Sequence, residues 1–257
     1  MTVDEHRSVL VTGGSGGIGR AVASAFAAAG DRVAVHYAGN RAAAEMVLAE
    51  LPGDGHVLVQ GDLADPEQAE RIVAAVVRAS GGVDVLVNNA AVGTSTATAH
   101  PVPEVSYVDW QRAWRSAIEV NLLGAANISY CAARHMIDRG RGGRIVNVGS
   151  RGAYRGEPDN PAYGASKAAL HSLGQSLAIS LAPHGIAVTS VAPGFVATGR
   201  QATTLGGPQA DSIRAQSPFG RVAEPAEVAA AVLYLASADA AWASGAVLDL
   251  NGASYLR

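Results

Sequence analysis

The chain has 257 residues, 49% of them apolar and 16% charged, which is material for one large α/β core, and its formal net charge is -3. That charge gives no general electrostatic reason to bind nucleic acid or an anionic membrane, so small molecules are the expected partners. A single cysteine, Cys131, excludes an intrachain disulfide and a cysteine-based zinc site, and beside Ile128, Tyr130 and Ala132 it reads as a small buried apolar residue.

Asp4 and Glu5 precede only a short apolar run at Val9 to Val11, unlike a signal peptide, and no stretch of about twenty apolar residues is present to span a bilayer. The cytoplasm is the expected location.

Ser8 to Thr12 reads as a buried strand that runs into Gly13-Gly14-Ser15-Gly16-Gly17-Ile18-Gly19 and then an alanine-rich helix closed by Gly30. Strand, glycine turn and helix opening, in that order, let the backbone approach a pyrophosphate and aim helix N–H groups at it. No Gly-Lys-Ser/Thr ending follows, so a dinucleotide fits better than a nucleoside triphosphate.

The second strand, Arg32 to Tyr37, leads into Ala38-Gly39-Asn40-Arg41, where an acid would select NAD through the ribose hydroxyls. None is present. Arg41 could therefore pair with a 2′-phosphate, which favours NADP with NAD as the alternative, or it could simply begin the next helix as a solvated side chain.

Helix Arg41 to Leu51, strand His56 to Gln60, helix Pro66 to Ala79 and strand Val83 to Val87 continue the alternation. Repeated β-α units mean a parallel sheet covered on both faces, in one domain spanning residues 1–257. Asp62-Leu63 and Asn88-Asn89-Ala90-Ala91 follow the third and fourth strands at the carboxyl edge, where such sheets bind ligands. Asp62 could accept from an adenine amino group or cap a turn, and Asn88 could hold neighbouring loops.

Residues 92–106 read as a long loop, with His100 a solvated side chain, since no second metal-type residue lies at a suitable spacing. A helical region follows from Tyr107 to Arg139. Within it Asn121 either bonds between helices or marks a local break that positions a water, and Gly124 is compatible with a break. Strand Arg144 to Val148 ends at Gly149-Ser150, where Ser150 could donate to a carbonyl oxygen or serve a turn.

In Asn160-Pro161-Ala162-Tyr163-Gly164-Ala165-Ser166-Lys167, Asn160 suits an N-cap and Pro161 the first helical position, so Tyr163 and Lys167 fall one turn apart on one face. A nearby ammonium would stabilise a phenolate that otherwise forms only near pH ~10, although such a pair is also an ordinary helix-surface neighbour contact. Leu170, Leu173, Leu177 and Leu181 form that helix's apolar ladder. Strand Ile186 to Val191 then leaves through Pro193-Gly194, followed by Val196 and Thr198. Residues 199–220 lack periodicity and suit a lid over the substrate. Helix Pro225 to Ala236 and strand Ala246 to Leu250 complete a sheet of about seven strands, a Rossmann-type doubly wound fold.

Together TGGSGGIG at 12–19, DL at 62–63, NNAA at 88–91, Asn121, Ser150, YGASK at 163–167 and PGFVAT at 193–198 resemble the short-chain dehydrogenase/reductase family along nearly the whole chain. VHYAGNR and PFGRVAEPAEVA are similar to its 3-oxoacyl-acyl-carrier-protein reductase branch, while sugar and secondary-alcohol dehydrogenases share the framework. The resemblance implies an oxidoreductase moving a hydride between NADP(H) and a carbonyl or secondary alcohol, with a 3-oxoacyl thioester as one candidate substrate. Tyr163 would be the general acid/base and Ser150 would orient the substrate oxygen. Lys167 would bind the nicotinamide ribose and depress the Tyr163 pKa, and Asn121 would hold a water.

The implied cofactor contacts are Gly13, Ser15, Gly17, Ile18, Gly19, Tyr37, Asn40, Arg41, Asp62, Leu63, Asn89, Ala90, Tyr163, Lys167, Pro193, Gly194, Val196 and Thr198. Ala91 departs from the family's usual glycine and Gly16 from the basic residue of many NADP-preferring relatives. The resemblance also implies a homo-oligomer, a tetramer or dimer. The alternatives are an NAD-dependent sugar or secondary-alcohol dehydrogenase and a non-catalytic dinucleotide-binding sensor.

Overall fold

A computed structural model describes residues 6–257; Asp4 and Glu5, on which the expected lack of a signal peptide rests, lie outside the described residues. Seven strands, β1 (Ser8–Val11), β2 (Arg32–Tyr37), β3 (Val57–Gln60), β4 (Val85–Asn88), β5 (Gly143–Val148), β6 (Ile186–Pro193) and β7 (Val247–Leu250), form one sheet in the order β3-β2-β1-β4-β5-β6-β7. Every pairing is parallel. The order reverses between β1 and β4, and a crevice opens there at the carboxyl ends of the strands.

Period-2 alternation feeds two cores. Val9, Val11, Val33, Val35, Val87 and Val146 face one side with α1 (Gly17–Ala28), while Leu10, Leu86, Ile145 and Val188 face the other. Helix α2 (Arg41–Glu50) follows β2 and α3 (Pro66–Ser80) follows β3. Asp65 caps α3 by accepting from Glu67 N–H, Pro66 opens it, and Gly81 ends it at φ 77°.

The loop at 92–106 holds one short 3-10 turn, Thr96–Thr98. The region expected as one helix from Tyr107 to Arg139 is divided into α4 (Tyr107–Ile118), a wide π turn at Glu119–Gly124 and α5 (Ala125–Arg139). Helices α6 (Gly152–Arg155) and α7 (Pro161–Leu181) follow β5. Residues 199–220 are not irregular throughout: a 3-10 turn at Gly199–Gln201 precedes α8 (Ala202–Leu205) and α9 (Ala210–Ala215). Each is too short to show a helical period, and Gly206-Gly207 separates the last two. Helix α10 (Pro225–Leu235) packs on α1, burying Val22 and Phe26 with Val228 and Val232.

Candidate active site

The turn leaving β1 is built from backbone that needs glycine. Gly13 and Gly17 adopt φ of 61° and 54°, and a Cβ on Gly19 would overlap the carbonyl oxygen of Gly13. Three side chains hold the turn. Asn89 Nδ2 donates to the carbonyls of Thr12 (2.9 Å) and Gly13 (3.0 Å), and Thr12 Oγ1 accepts from the N–H groups of Asn89 and Ala90 while donating to Val87 O. His36, fully inside the protein, supplies the third: its Nε2 donates to Gly61 O (3.0 Å), so Nδ1 is free to accept Gly13 N–H at 3.1 Å. Burial pushes this imidazole down to about 4, so it stays neutral and able to accept.

Gly16, the N-cap of α1, provides no side-chain cap, and the first turn carries no acid. The free N–H groups of that turn and the positive end of the helix dipole face the crevice, which fits a pyrophosphate.

On the opposite wall, β5 delivers Ser150 and α7 delivers Tyr163 and Lys167. Ser150 Oγ accepts from Gly152 N–H at 3.0 Å and lies beside the Tyr163 phenol, whose ionised form it favours. Lys167 Nζ donates to Val148 O at 2.7 Å and stands 5.8 Å from the Tyr163 ring centre. Burial pushes the Tyr163 phenol above its ordinary value; the Ser150 hydroxyl opposes this, Glu157 adds to it, and Arg200 opposes it. Burial, and to a smaller extent the Arg200 guanidinium, bring Lys167 down to about 8. Burial is thus the largest influence on the phenol, while the Lys167 ammonium, expected to lower the Tyr163 pKa, is itself desolvated and directed at the Val148 carbonyl.

The start of α7 corrects two expectations. Asn160 is at the N-cap position, but its side chain makes no capping bond. His100, expected to be solvated, is 4% exposed and caps the helix from the 92–106 loop. Its Nδ1 donates to Thr98 O (2.8 Å), leaving Nε2 to accept Ala162 N–H at 3.2 Å, one residue before Tyr163. Asp159 O accepts from His100 N–H, and Trp110 packs edge-on against the ring.

Asn121 lies in the π turn, so the local break is real. Its Oδ1 accepts from Val92 N–H (2.7 Å), and its Nδ2 donates to Val92 O and Ser166 Oγ, the latter donating in turn to Tyr163 O. The amide ties the loop after β4 to the catalytic helix. Gly124, at the end of that turn, lets it pack closely on the segment after β3, since a Cβ there would lie 2.7 Å from Leu63 O.

These walls enclose a cleft of about 620 Å³. Gly13, Ser15, Gly17 and Ile18 line it from the first turn, Tyr37 from β2, and Asn89 and Ala90 from the end of β4. Ser150, Tyr163 and Lys167 face Pro193, Gly194, Val196 and Thr198 across it.

Gly19, Asn40, Arg41, Asp62, Leu63 and Asn121 are not among the lining residues. Gly19 lies beneath Gly13, and Asn40 Oδ1 accepts from Ala43 N–H to cap α2. Arg41 pairs with Glu45 on its own helix (2.7 Å), Asp62 Oδ1 accepts from Ala64 N–H, and Leu63 joins the core. Asn88 donates to Ser129 Oγ and Asn147 Oδ1, holding neighbouring elements together. Ala91 is accommodated, because Ala253 is the sole non-glycine residue at positive φ among the described residues.

Four ionisable cleft residues escaped sequence reasoning: His36, Arg151, Glu157 and Arg200. Arg151 is buried directly after Ser150, where Nη1 donates to Ser254 Oγ and Nη2 to Gln216 Oε1, tying the C-terminal segment to the site. A charged residue immediately beside the motif serine was the available signal.

A crevice with an uncapped helix end on one side and a serine, tyrosine and lysine on the other defines a dinucleotide-dependent oxidoreductase. A family model described as Enoyl-(Acyl carrier protein) reductase matches residues 13–252. An L-rhamnose 1-dehydrogenase (NAD(P)(+)) of Sphingomonas sp. is 37% identical over 260 residues, covering 100% of this chain and 99% of that one. A 3-oxoacyl-[acyl-carrier-protein] reductase of Vibrio cholerae is 34% identical over 252 residues, covering 98% of each. The crystal structure of 3-ketoacyl-(acyl-carrier-protein) reductase from Brucella melitensis complexed with NADH superposes with a TM-score of 0.86 at 29% identity, covering 97% of this chain and 98% of that one. The chain belongs to the short-chain dehydrogenase/reductase family, whose similar members use a nicotinamide dinucleotide. Among the described residues no helix is long and apolar enough to cross a membrane.

Proposed function

We propose that this chain interconverts a carbonyl and a secondary alcohol with NADP(H), using Tyr163 as the general acid/base. The observation that carries the reading is the meeting of Ser150, Tyr163 and Lys167 in the wall of the same cleft that receives the uncapped end of α1. A bound nicotinamide supplies or accepts the hydride. Tyr163, protonated because burial holds its pKa high, donates to the substrate oxygen in the reducing direction, and Ser150 holds that oxygen by hydrogen bonding. Val148 O takes one of the three donors of the Lys167 ammonium, leaving two for a ribose. The Asn121 amide is spent on protein partners, so a proton-relaying water would be held by backbone groups that the wide turn frees.

Support for NADP comes from β2, which ends without a carboxylate. Arg41 is held only by a solvent-screened pair with Glu45 on its own helix, so exchanging that partner for a 2′-phosphate costs little. The Sphingomonas relative is named for NAD(P)+ and the Brucella structure holds NADH, so both cofactors belong in the test. The loops at 92–106 and 195–220 are read as the substrate side. Exposed Val108, Leu123 and Tyr130 along α4 and α5, with Trp242 and Leu248 near β7, suit burial between copies of a cytoplasmic homo-oligomer, a tetramer or dimer.

Tyr163→Phe is expected to keep NADPH affinity within about threefold by fluorescence titration while lowering kcat by about 10³-fold or more at 340 nm, because the proton donor is removed and the ring is kept. Full activity in that variant rejects Tyr163 as the acid/base.

A further inference from the structure

Two charged side chains in the catalytic cleft are spent on nothing. Glu157, between α6 and α7, lies half-buried over Gly152, where a Cβ would overlap its Oε1. Arg200, in the turn after Thr198, lies over Gly93, where a Cβ would overlap its Nη1. Among the described residues neither side chain makes a hydrogen bond or an ion pair. Each occupies room that a missing Cβ leaves open, and both face Tyr163, whose titration they bias in opposite directions. The nearest charges to Glu157, Arg151 and Arg155, act on it only through space, and burial holds its carboxyl above the usual range.

We infer that the substrate is a small polyhydroxylated compound of the sugar type, with one hydroxyl donating to Glu157 and another accepting from Arg200 while the reacting carbon lies at Tyr163. This deepens the proposed carbonyl and alcohol chemistry and rests on it. A carboxylate can only accept and a guanidinium can only donate, so a ligand that satisfies both must carry groups of both kinds. Hydroxyls do so at neutral charge. The chain of an acyl thioester would lay methylenes against the half-buried Glu157 carboxylate and offer no hydroxyl to it or to the exposed Arg200 guanidinium across the cleft. Gln201, whose Nε2 donates to Thr94 O, braces the Arg200 turn against the loop after β4, so the guanidinium is carried by a fixed wall. Neither residue takes a proton in the reaction; both orient the substrate.

The test compares kcat/KM at 340 nm for L-rhamnose, L-fucose and D-xylose with NADP+ and NAD+, for cyclohexanol as a control with no second hydroxyl, and for acetoacetyl-CoA with NADPH and NADH. The wild type is expected to favour at least one aldose over cyclohexanol by about 100-fold or more. Glu157→Gln and Arg200→Met are each expected to lower the aldose-to-cyclohexanol ratio by about tenfold or more, since a charged partner of a substrate hydroxyl is lost. Preference for acetoacetyl-CoA over every aldose, or equal losses on aldose and cyclohexanol, overturns the inference and leaves the carbonyl chemistry standing. No turnover of any substrate, with NADPH still bound, overturns both.

Discussion

His100→Ala is the sharpest test of how the loop at 92–106 serves the site. The substitution leaves Ala162 N–H, a buried donor, without its acceptor, at a cost of about 1–3 kcal/mol. It also removes the edge-on contact with Trp110, whose ring centre is 5.9 Å away, for about 0.5–1.5 kcal/mol more. The expected loss is therefore about 1.5–4.5 kcal/mol, which for a chain of this size corresponds to a Tm lower by about 3–18 °C. Tyr163 follows the freed N–H by one residue, and a displacement of the phenol by about 1 Å lowers kcat by about 10²-fold. NADPH affinity should move much less, because the glycine turn lies on the far wall. His100→Gln, which returns an acceptor at similar reach, should recover much of both losses. Scanning calorimetry and steady-state kinetics on the three proteins decide it: an alanine variant with unchanged Tm and kcat would show that His100 does not hold the catalytic helix.

Two further outcomes follow from the glycine turn and the buried imidazoles. Gly19→Ala forces a Cβ into Gly13 O and should weaken NADPH binding by about 100-fold or more; Gly16→Ala meets nothing within 4 Å and should leave it within about threefold, and equal effects would refute the assigned packing. Burial holds both His36 and His171 down to about 4, whereas an unfolded histidine titrates near pH ~6.5. Their contribution to stability is complete above the unfolded value and is lost as pH falls from ~6.5 towards 4, because the unfolded chain binds more protons there. The slope is about 1.4 kcal/mol per pH unit for each histidine. Urea unfolding at pH 7 and pH 5 should show His171→Gln with a smaller difference than the wild type, and an identical difference would refute the buried neutral imidazole.

The elements whose chemistry is local were legible along the chain. The glycine turn, the alternating valines of β1, the Asn160-Pro161 start and the one-turn spacing of Tyr163 and Lys167 each follow from a few adjacent residues, and all four are found where expected. What escaped is chemistry between a side chain and a backbone group that only the fold brings near. His36 meets Gly13 N–H across 23 residues and His100 meets Ala162 N–H across 62, and no spacing rule links an imidazole to an amide every residue carries. The capping of α7 shows the consequence: Asn160 has the residue type a cap needs, yet a distant loop supplies the bond. The same limit governs the substrate. Glu157 and Arg200 are 43 positions apart, each unremarkable as a solvated charge, and they become a pair only because Gly152 and Gly93 leave space for them on either side of one phenol. Cofactor chemistry is thus written in short motifs, because a pyrophosphate needs contiguous backbone, whereas substrate chemistry is distributed over loops that the sheet edge gathers.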